Sequence, residues 1–277
     1  MSTPEGFTPN NSGPIETRVS VLSWNIWWQF GPWQQRAPAI EATLVALDAD
    51  VIALQEVWGD ADENYAKNLA AKLGYHYFHA DCMTMNGVGF GNAILSRWPI
   101  SGAEAITLSG TAETGETRNA LYARVDGPRG PIDVFCTHLN WRYEQSHIRQ
   151  VQVREVAELV KANSGGKMPP ILCGDFNAEP MSEEIRMLTG LTTAAASGLA
   201  FHDAWVVAGK GEGFTWNNAN TFVAAEFEPD RRIDYIFAGH PKARGRGHIS
   251  DVEVIGDSTV DGMWPSDHFG IIAKIRY

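Results

Sequence analysis

Apolar runs that end abruptly in a polar side chain recur along this chain. Val21-Leu22-Ser23-Trp24 leads into Asn25, Val51-Ile52-Ala53-Leu54 into Gln55-Glu56, and Val134-Phe135-Cys136-Thr137 into His138. Ile171-Leu172-Cys173-Gly174 leads into Asp175, with Asn177 two residues on. Each run has the length and side-chain content of a buried strand. Between them the spacing turns helical. Residues 34–48 carry Ile40, Leu44 and Leu47, and residues 62–73 carry Tyr65, Leu69 and Leu73 with Gly74 as the stop. Residues 148–161 carry Val151, Val156, Leu159 and Val160, closed by Gly165-Gly166. Ser182 ahead of Glu183 and Glu184 reads as a helix start, with acids at the positive end of the dipole. Across residues 90–125 and 201–237 the pattern is strand-turn-strand. The pattern alone therefore predicts a mixed α and β chain, with no repeat.

The polar ends change the picture from fold to chemistry. Two further segments carry the same cargo: Arg232-Ile233-Asp234-Tyr235-Ile236-Phe237 places a carboxylate inside a strand-like run, and Pro265-Ser266-Asp267-His268 precedes apolar Ile271-Ile272-Ala273. A carboxylate at the end of a buried strand costs free energy unless it is paired or binds a cation. Several of them, interleaved with Asn and His, point to a metal and a polar substrate. On an extended backbone Asp175 and Asn177 face the same side. An Asx-turn that only satisfies local backbone groups is the structural alternative there.

The ordered set Asn25, Gln55-Glu56, His138, Gly174-Asp175-Phe176-Asn177, Asp234 and Ser266-Asp267-His268 resembles the endonuclease/exonuclease/phosphatase superfamily, the deoxyribonuclease I-like fold. The resemblance runs from about Val19 to Tyr277. Residues 91–97 look like that family's central strand, and Arg149 and Gln152 follow His138 at a familiar distance. It implies a four-layer α/β/β/α sandwich, two mixed β-sheets packed face to face with helices outside. It also implies Mg²⁺-dependent hydrolysis of a phosphodiester, with Mn²⁺ able to substitute. Glu56 is the first expected ligand, since Mg²⁺ takes one or two carboxylates plus waters and substrate oxygens, and by resemblance Asn25 and Asp267 complete the site. Asp175 is expected to orient or deprotonate the attacking water, and Asn177 to hold that water or a phosphate oxygen. His138 and His268 would donate to the phosphate from two sides, with Asp234 pairing to His268 and favouring its protonated form. Asp175 and His268 both remain candidates for general base.

Substrate contacts are less sharply drawn. Arg118, Trp141 and Arg142 are the candidates; Trp141 and Trp28 serve equally well as cleft wall or as packing, whereas Trp24 and Trp58 read as core. The Gly-Asp-Phe-Asn and Arg-Ile-Asp elements depart from inositol polyphosphate phosphatases, and His138-Leu139-Asn140-Trp141 lacks the tyrosine of abasic-site endonucleases. Thr137-His138-Leu139 instead resembles deoxyribonuclease, sphingomyelinase and deadenylase-like members. A nuclease-type substrate leads, with a phospholipid or small-molecule phosphoester as the alternative. A non-catalytic binding protein on the same fold is the reading from a different class.

Composition bounds these readings. At 277 residues and 44% hydrophobic, with no Pro/Gly/Ser-rich divider, the chain is expected to form one domain over residues 17–277 behind a flexible polar tail at 1–16. No apolar run reaches bilayer length and the start lacks a leader pattern, which implies a cytoplasmic protein without stable membrane insertion. Three cysteines without paired spacing argue against a disulfide framework or a zinc site. The net charge of −11 argues against tight nonspecific grip on duplex nucleic acid, though a metal supplies positive charge locally. The expected partner is a phosphoester substrate, nucleic acid among the candidates, with no obligate protein partner.

Overall fold

Strands that end in chemistry can cooperate only if they end at the same edge, and their pairing achieves this. The computed structural model describes residues 13–60 and 62–277. One sheet is built from β1 (Arg18–Asn25), β2 (Val51–Gly59), β3 (His76–Met85), β4 (Val88–Ser96), β11 (Ile249–Ile255) and β12 (Gly270–Arg276), in the order β11-β12-β1-β2-β4-β3. The other takes β5 (Ile100–Leu108), β6 (Arg118–Gly127), β7 (Gly130–His138), β8 (Ile171–Asp175), β9 (Phe201–Asp203) and β10 (Asp234–Gly239), in the order β5-β6-β7-β8-β10-β9. In each sheet the central pair is parallel: β1 lies beside β2 with Asn25 opposite Gln55, and β7 beside β8 with His138 opposite Asp175. Antiparallel β10 starts where β8 ends, so Asp234 stands opposite Asp175. Antiparallel β12 likewise starts beside the end of β1, with Ile271 opposite Ser23.

Both faces of the inner strands β1, β2, β7 and β8 are covered, which is why they read as near-continuous apolar runs. Val19, Val21 and Ala53 of the first sheet pack against Val134, Cys136 and Ile236 of the second. The outer face of the first sheet buries Ile52 and Leu54 under Ile40, Leu44 and Leu69 of α1 (Trp33–Leu47) and α2 (Tyr65–Leu73). The outer face of the second buries Phe135 and Leu172 under Val153, Val156 and Leu188 of α4 (Ser146–Asn163) and α5 (Glu183–Thr189). The four-layer sandwich follows from these three apolar interfaces. Three short helices, α3 (Thr111–Thr114), α6 (Ala204–Ala208) and α7 (Thr221–Ala224), sit in connections.

Some elements differ from expectation. The helix expected from residue 62 begins at Tyr65, because the Asn64 side chain accepts the Lys67 N–H and caps it there. Residues 201–237 do not form strand-turn-strand: only three residues pair as β9, and a long connection holding α6 and α7 intervenes before β10. Asp234 opens β10 rather than lying inside it, and β4 is next to the sheet edge rather than central. Of the tail, residues 1–12 lie outside the described residues. Ile15 is buried, and its N–H bonds the Arg244 carbonyl at 2.9 Å. No helix among the described residues is long and apolar enough to cross a membrane.

Candidate active site

The shared edge gathers Asn25, Glu56, Arg118, His138, Asp175, Asn177, Asp234, Asp267 and His268. Local backbone aims them. A β-bulge between Leu54 and Val57 interrupts β2 pairing, and Glu56 within it has φ of 55°. Bulges re-aim a side chain. Asn177 is also left-handed, φ 49°, so it does not share a face with Asp175 through extended spacing. Instead its N–H bonds Asp175 Oδ1 at 2.9 Å. The Asx-turn and the convergence of Asp175 with Asn177 are the same structure, not alternatives. Two non-glycine residues in sparsely populated backbone, both facing the cleft, mark where local conformation is over-determined by its surroundings.

The Asn25 amide bridges two carboxylates: Nδ2 donates to Glu56 Oε1 at 3.1 Å and to Asp175 Oδ2 at 3.0 Å. Asp234 Oδ2 accepts from His268 Nδ1 at 3.0 Å, and His268 Nε2 lies 3.8 Å from Asp175 Oδ2. Ser266 Oγ donates to the Asn25 carbonyl at 2.7 Å and sits 3.2 Å from Asp267 Oδ1, joining the segment before β12 to the end of β1. On the other side Arg118 Nη1 donates to His138 Nδ1 at 3.1 Å. The His138 proton is therefore assigned to Nε2, which faces Asp175 Oδ2 at 3.4 Å. Asn177 Nδ2 lies beside this edge and donates to the Leu139 carbonyl at 3.2 Å.

Electrostatics separate the two histidines. Burial and the neighbouring Arg118 hold His138 well below its usual range, so it is neutral. Burial alone would also lower His268, but Asp234, Asp175 and Asp267 outweigh it and push it well above 6.5, so it is an imidazolium. Burial first, then Asp267, raises Glu56 to about 7. Burial first, then Asp234, raises Asp175 to about 6. Burial raises Asp267 as well.

A cation fits this crowd of acids. Glu56 Oε2 and Asp234 Oδ1 are sealed from solvent without a hydrogen-bond partner, and buried acceptors rarely go unsatisfied without a reason. Oxygen donors of this kind suit a hard divalent ion. Ligand atoms of Asp175, Asp234 and His268 lie within 4.8 Å of one another. A protonated ring that is already bonded to Asp234 offers no lone pair, however, so the physical balance favours the Glu56 side.

The cluster opens into a cleft of about 700 Å³. Trp27, Phe30, Phe90, Trp141, Trp216 and Phe222 supply its aromatic walls. Trp28 does not: it is buried, and its indole N–H bonds the Gly89 carbonyl. Trp24 and Trp58 are core. Trp141, 49% exposed, donates to Glu116 at 3.0 Å. Arg118 lines the cleft, but Arg142 is exposed outside it, with its guanidinium 5.2 Å above the Trp141 ring. Arg231, Glu228 and Phe222 also line the cleft and carried no signal in the sequence, since they lie in the long connection before β10. Arg149 stays behind the wall, bonded to Glu184 at 2.6 Å and to the Asn140 and Arg142 carbonyls.

Comparison with known proteins bears on the family and the fold. The model of the Endonuclease/Exonuclease/phosphatase family matches residues 22–268. A putative neutral sphingomyelinase of Drosophila melanogaster is 27% identical over 286 residues, covering 93% of this chain and 60% of that protein. Nocturnin of Homo sapiens is 26% identical over 267 residues, covering 88% of this chain and 58% of its own length. The chain thus spans about 60% of the length of these relatives. Among solved structures, TDP2 of D. rerio complexed with a single-strand DNA product superposes with a TM-score of 0.75 at 24% identity, covering 95% of this chain and 100% of that one. The human nocturnin catalytic domain with bound sulfate gives 0.67 at 22% identity, covering 93% and 92%. At such identities the structural likeness establishes the fold.

Proposed function

The chain belongs to the endonuclease/exonuclease/phosphatase family, and we propose that it is a divalent-metal-dependent phosphodiesterase. The observation that carries this reading is the single constellation in which Asn25 bridges Glu56 and Asp175 while His268, fixed by Asp234, faces the same Asp175 oxygen. Glu56, Asn25 and Asp267 are the residues that would hold Mg²⁺ or Mn²⁺. When bound, such an ion supplies positive charge against the phosphate oxygens.

The chain's own groups divide the remaining work. Asp175 is the general base: its carboxylate is ionised above about pH 6, and the Asn25 amide and the Asn177 N–H hold its two oxygens in place. His268 is already protonated, which suits it to donate from Nε2 to a phosphate or departing oxygen rather than to accept a proton. Asp234 fixes that role by holding Nδ1. Neutral His138, oriented by Arg118, presents its Nε2–H, and Asn177, anchored on the Leu139 carbonyl, adds an amide donor.

A nuclease-type substrate is the first reading, with bases stacking on the aromatic walls. A second reading, a phospholipid, is favoured by one specific feature. The two wall arginines are already neutralised, Arg118 by Glu116 at 3.2 Å and Arg231 by Glu228, leaving a wall suited to apolar groups flanking one phosphate.

A small panel tests both: bis-p-nitrophenyl phosphate, single- and double-stranded DNA, RNA and sphingomyelin, each with Mg²⁺ or Mn²⁺, and Asp175→Ala as control. Hydrolysis lost in the variant is the expected outcome, and the preferred substrate selects the reading. Folded, metal-responsive protein without hydrolysis of any of these would contradict the phosphodiesterase assignment.

A further inference from the structure

A buried arginine without a carboxylate partner is expensive, and Arg36 is one. Its side chain is inaccessible to solvent, and among the described residues no acid lies within ion-pair distance of it. Burial brings its pKa down to about 10, so it remains charged at neutral pH. Among the described residues, its guanidinium hydrogen-bonds to backbone carbonyls alone. Nη1 donates to Ile26 at 3.0 Å and Pro265 at 2.9 Å; Nη2 donates to Trp27 at 2.8 Å, Trp28 at 3.1 Å and Phe30 at 2.9 Å. The guanidinium also lies 4.6 Å from the centre of the Trp27 ring, a wall of the cleft.

These carbonyls belong to two segments. Residues 26–30 leave β1 directly after Asn25, and Pro265 precedes Ser266-Asp267 on the way into β12. The first segment is tied in turn to β2, since the Ile26 N–H bonds the Gln55 carbonyl and the Trp28 N–H bonds the Glu56 carbonyl. One planar fork therefore references Asn25, Glu56 and Asp267 to one another from behind. A planar guanidinium can serve several fixed acceptors at once; an ammonium cannot reproduce that geometry.

Arg149 provides the contrast. It gathers the Asn140, Arg142 and Tyr143 carbonyls behind the cleft wall, but carries its own buried counter-charge in Glu184. The carboxylates that act on Arg36 through space are Asp267 and Glu56 themselves.

We propose that Arg36 is a positioning residue that sets the geometry of the Asn25–Glu56–Asp267 side of the site, a step that rests on the metal-assisted reading above. Arg36→Lys and Arg149→Lys should be compared by hydrogen exchange in metal-free protein and by the Mn²⁺ concentration giving half-maximal hydrolysis of bis-p-nitrophenyl phosphate. Arg36→Lys should speed exchange within 26–30 and raise the Mn²⁺ midpoint about tenfold, with KM changed by less than about twofold. Arg149→Lys should loosen 140–143 and leave the midpoint alone. Wild-type exchange and midpoint in Arg36→Lys, or equal midpoint shifts in both variants, would overturn the proposal.

If Arg36→Lys does not fold, wild-type protein decides: Mn²⁺ should slow exchange at Trp28 and Phe30, which are not proposed ligands, together with 266–268. Unchanged exchange at 26–30 in metal-bound protein would overturn it. If Mn²⁺ leaves wild-type melting unmoved, the metal reading falls, while the metal-free exchange comparison still decides whether Arg36 organises these segments.

Discussion

Asp234 and His268 carry the sharpest test available from single side chains. Asp234→Asn keeps the shape of the buried site but removes the charge that, with Asp175 and Asp267, holds His268 well above its usual range. The variant should fold and lose about a hundredfold or more in kcat, within the range of general acid catalysis. Its rate profile should change in a specific way. In the wild type, kcat/KM should rise as Asp175 ionises near pH 6 and fall only as His268 loses its proton, well above its usual range. In Asp234→Asn the alkaline limb should move down toward neutrality; an unmoved limb would mean that His268 is not the donor. Which residues gather at the shared edge was legible in the sequence because apolar runs led into them. Why they meet was not. Asp175 and Asn177 converge through an Asx-turn at a left-handed Asn177, and Glu56 turns inward at a bulge, neither of which a spacing of two reveals. Arg36 was invisible because, on a helix, a lone arginine reads as a solvated position.

Gly174 shows how secondary structure holds the two halves in register. It lies on β8 opposite Thr137 of β7, and a Cβ there would stand 2.1 Å from the Thr137 carbonyl oxygen. That oxygen is backbone and cannot swing away. Gly174→Ala should therefore destabilise the protein by about 3 kcal/mol through forced separation of β7 and β8, and should lower kcat further by displacing His138 from Asp175. A melting curve together with activity well below the transition separates the two effects; wild-type stability would show that the strands tolerate the methyl group. The apolar strands and the main helices were readable from periodicity, and Gly174 from its place before Asp175. The pairing order was not, since strand neighbours such as β1 and β12 lie at opposite ends of the chain. Residues 204–233 misled because their apolar residues pack from short helices and loops rather than alternating along a strand.

Taken whole, the molecule concentrates acids at one edge of an already acidic chain, and that arrangement links stability to pH and to metal. Glu56 and Asp175 bind protons more tightly folded than unfolded, so metal-free stability should fall as pH rises from about 4 through about 7. Buried neutral His138 works in the opposite sense, with its contribution present above its unfolded pKa and lost as acid charges the ring. A bound dication would reverse the acid penalty, so the rise in melting temperature produced by Mn²⁺ should be larger at pH 8 than at pH 5. An equal rise at both would place binding elsewhere. The family-level fold was legible from about Val19 to Tyr277, and the family model matches residues 22–268. The substrate was not, because the cleft walls come from residues such as Phe222 and Arg231 in the connection between β9 and β10. The most direct measurement is the melting of wild type and Glu56→Gln at pH 8 with and without Mn²⁺. Wild type should gain about 2.7 kcal/mol when Mn²⁺ is at a hundredfold excess over its dissociation constant, whereas Glu56→Gln should be at least as stable as wild type without metal and gain little with it. An equal gain in the variant would contradict a metal held at the β2 bulge.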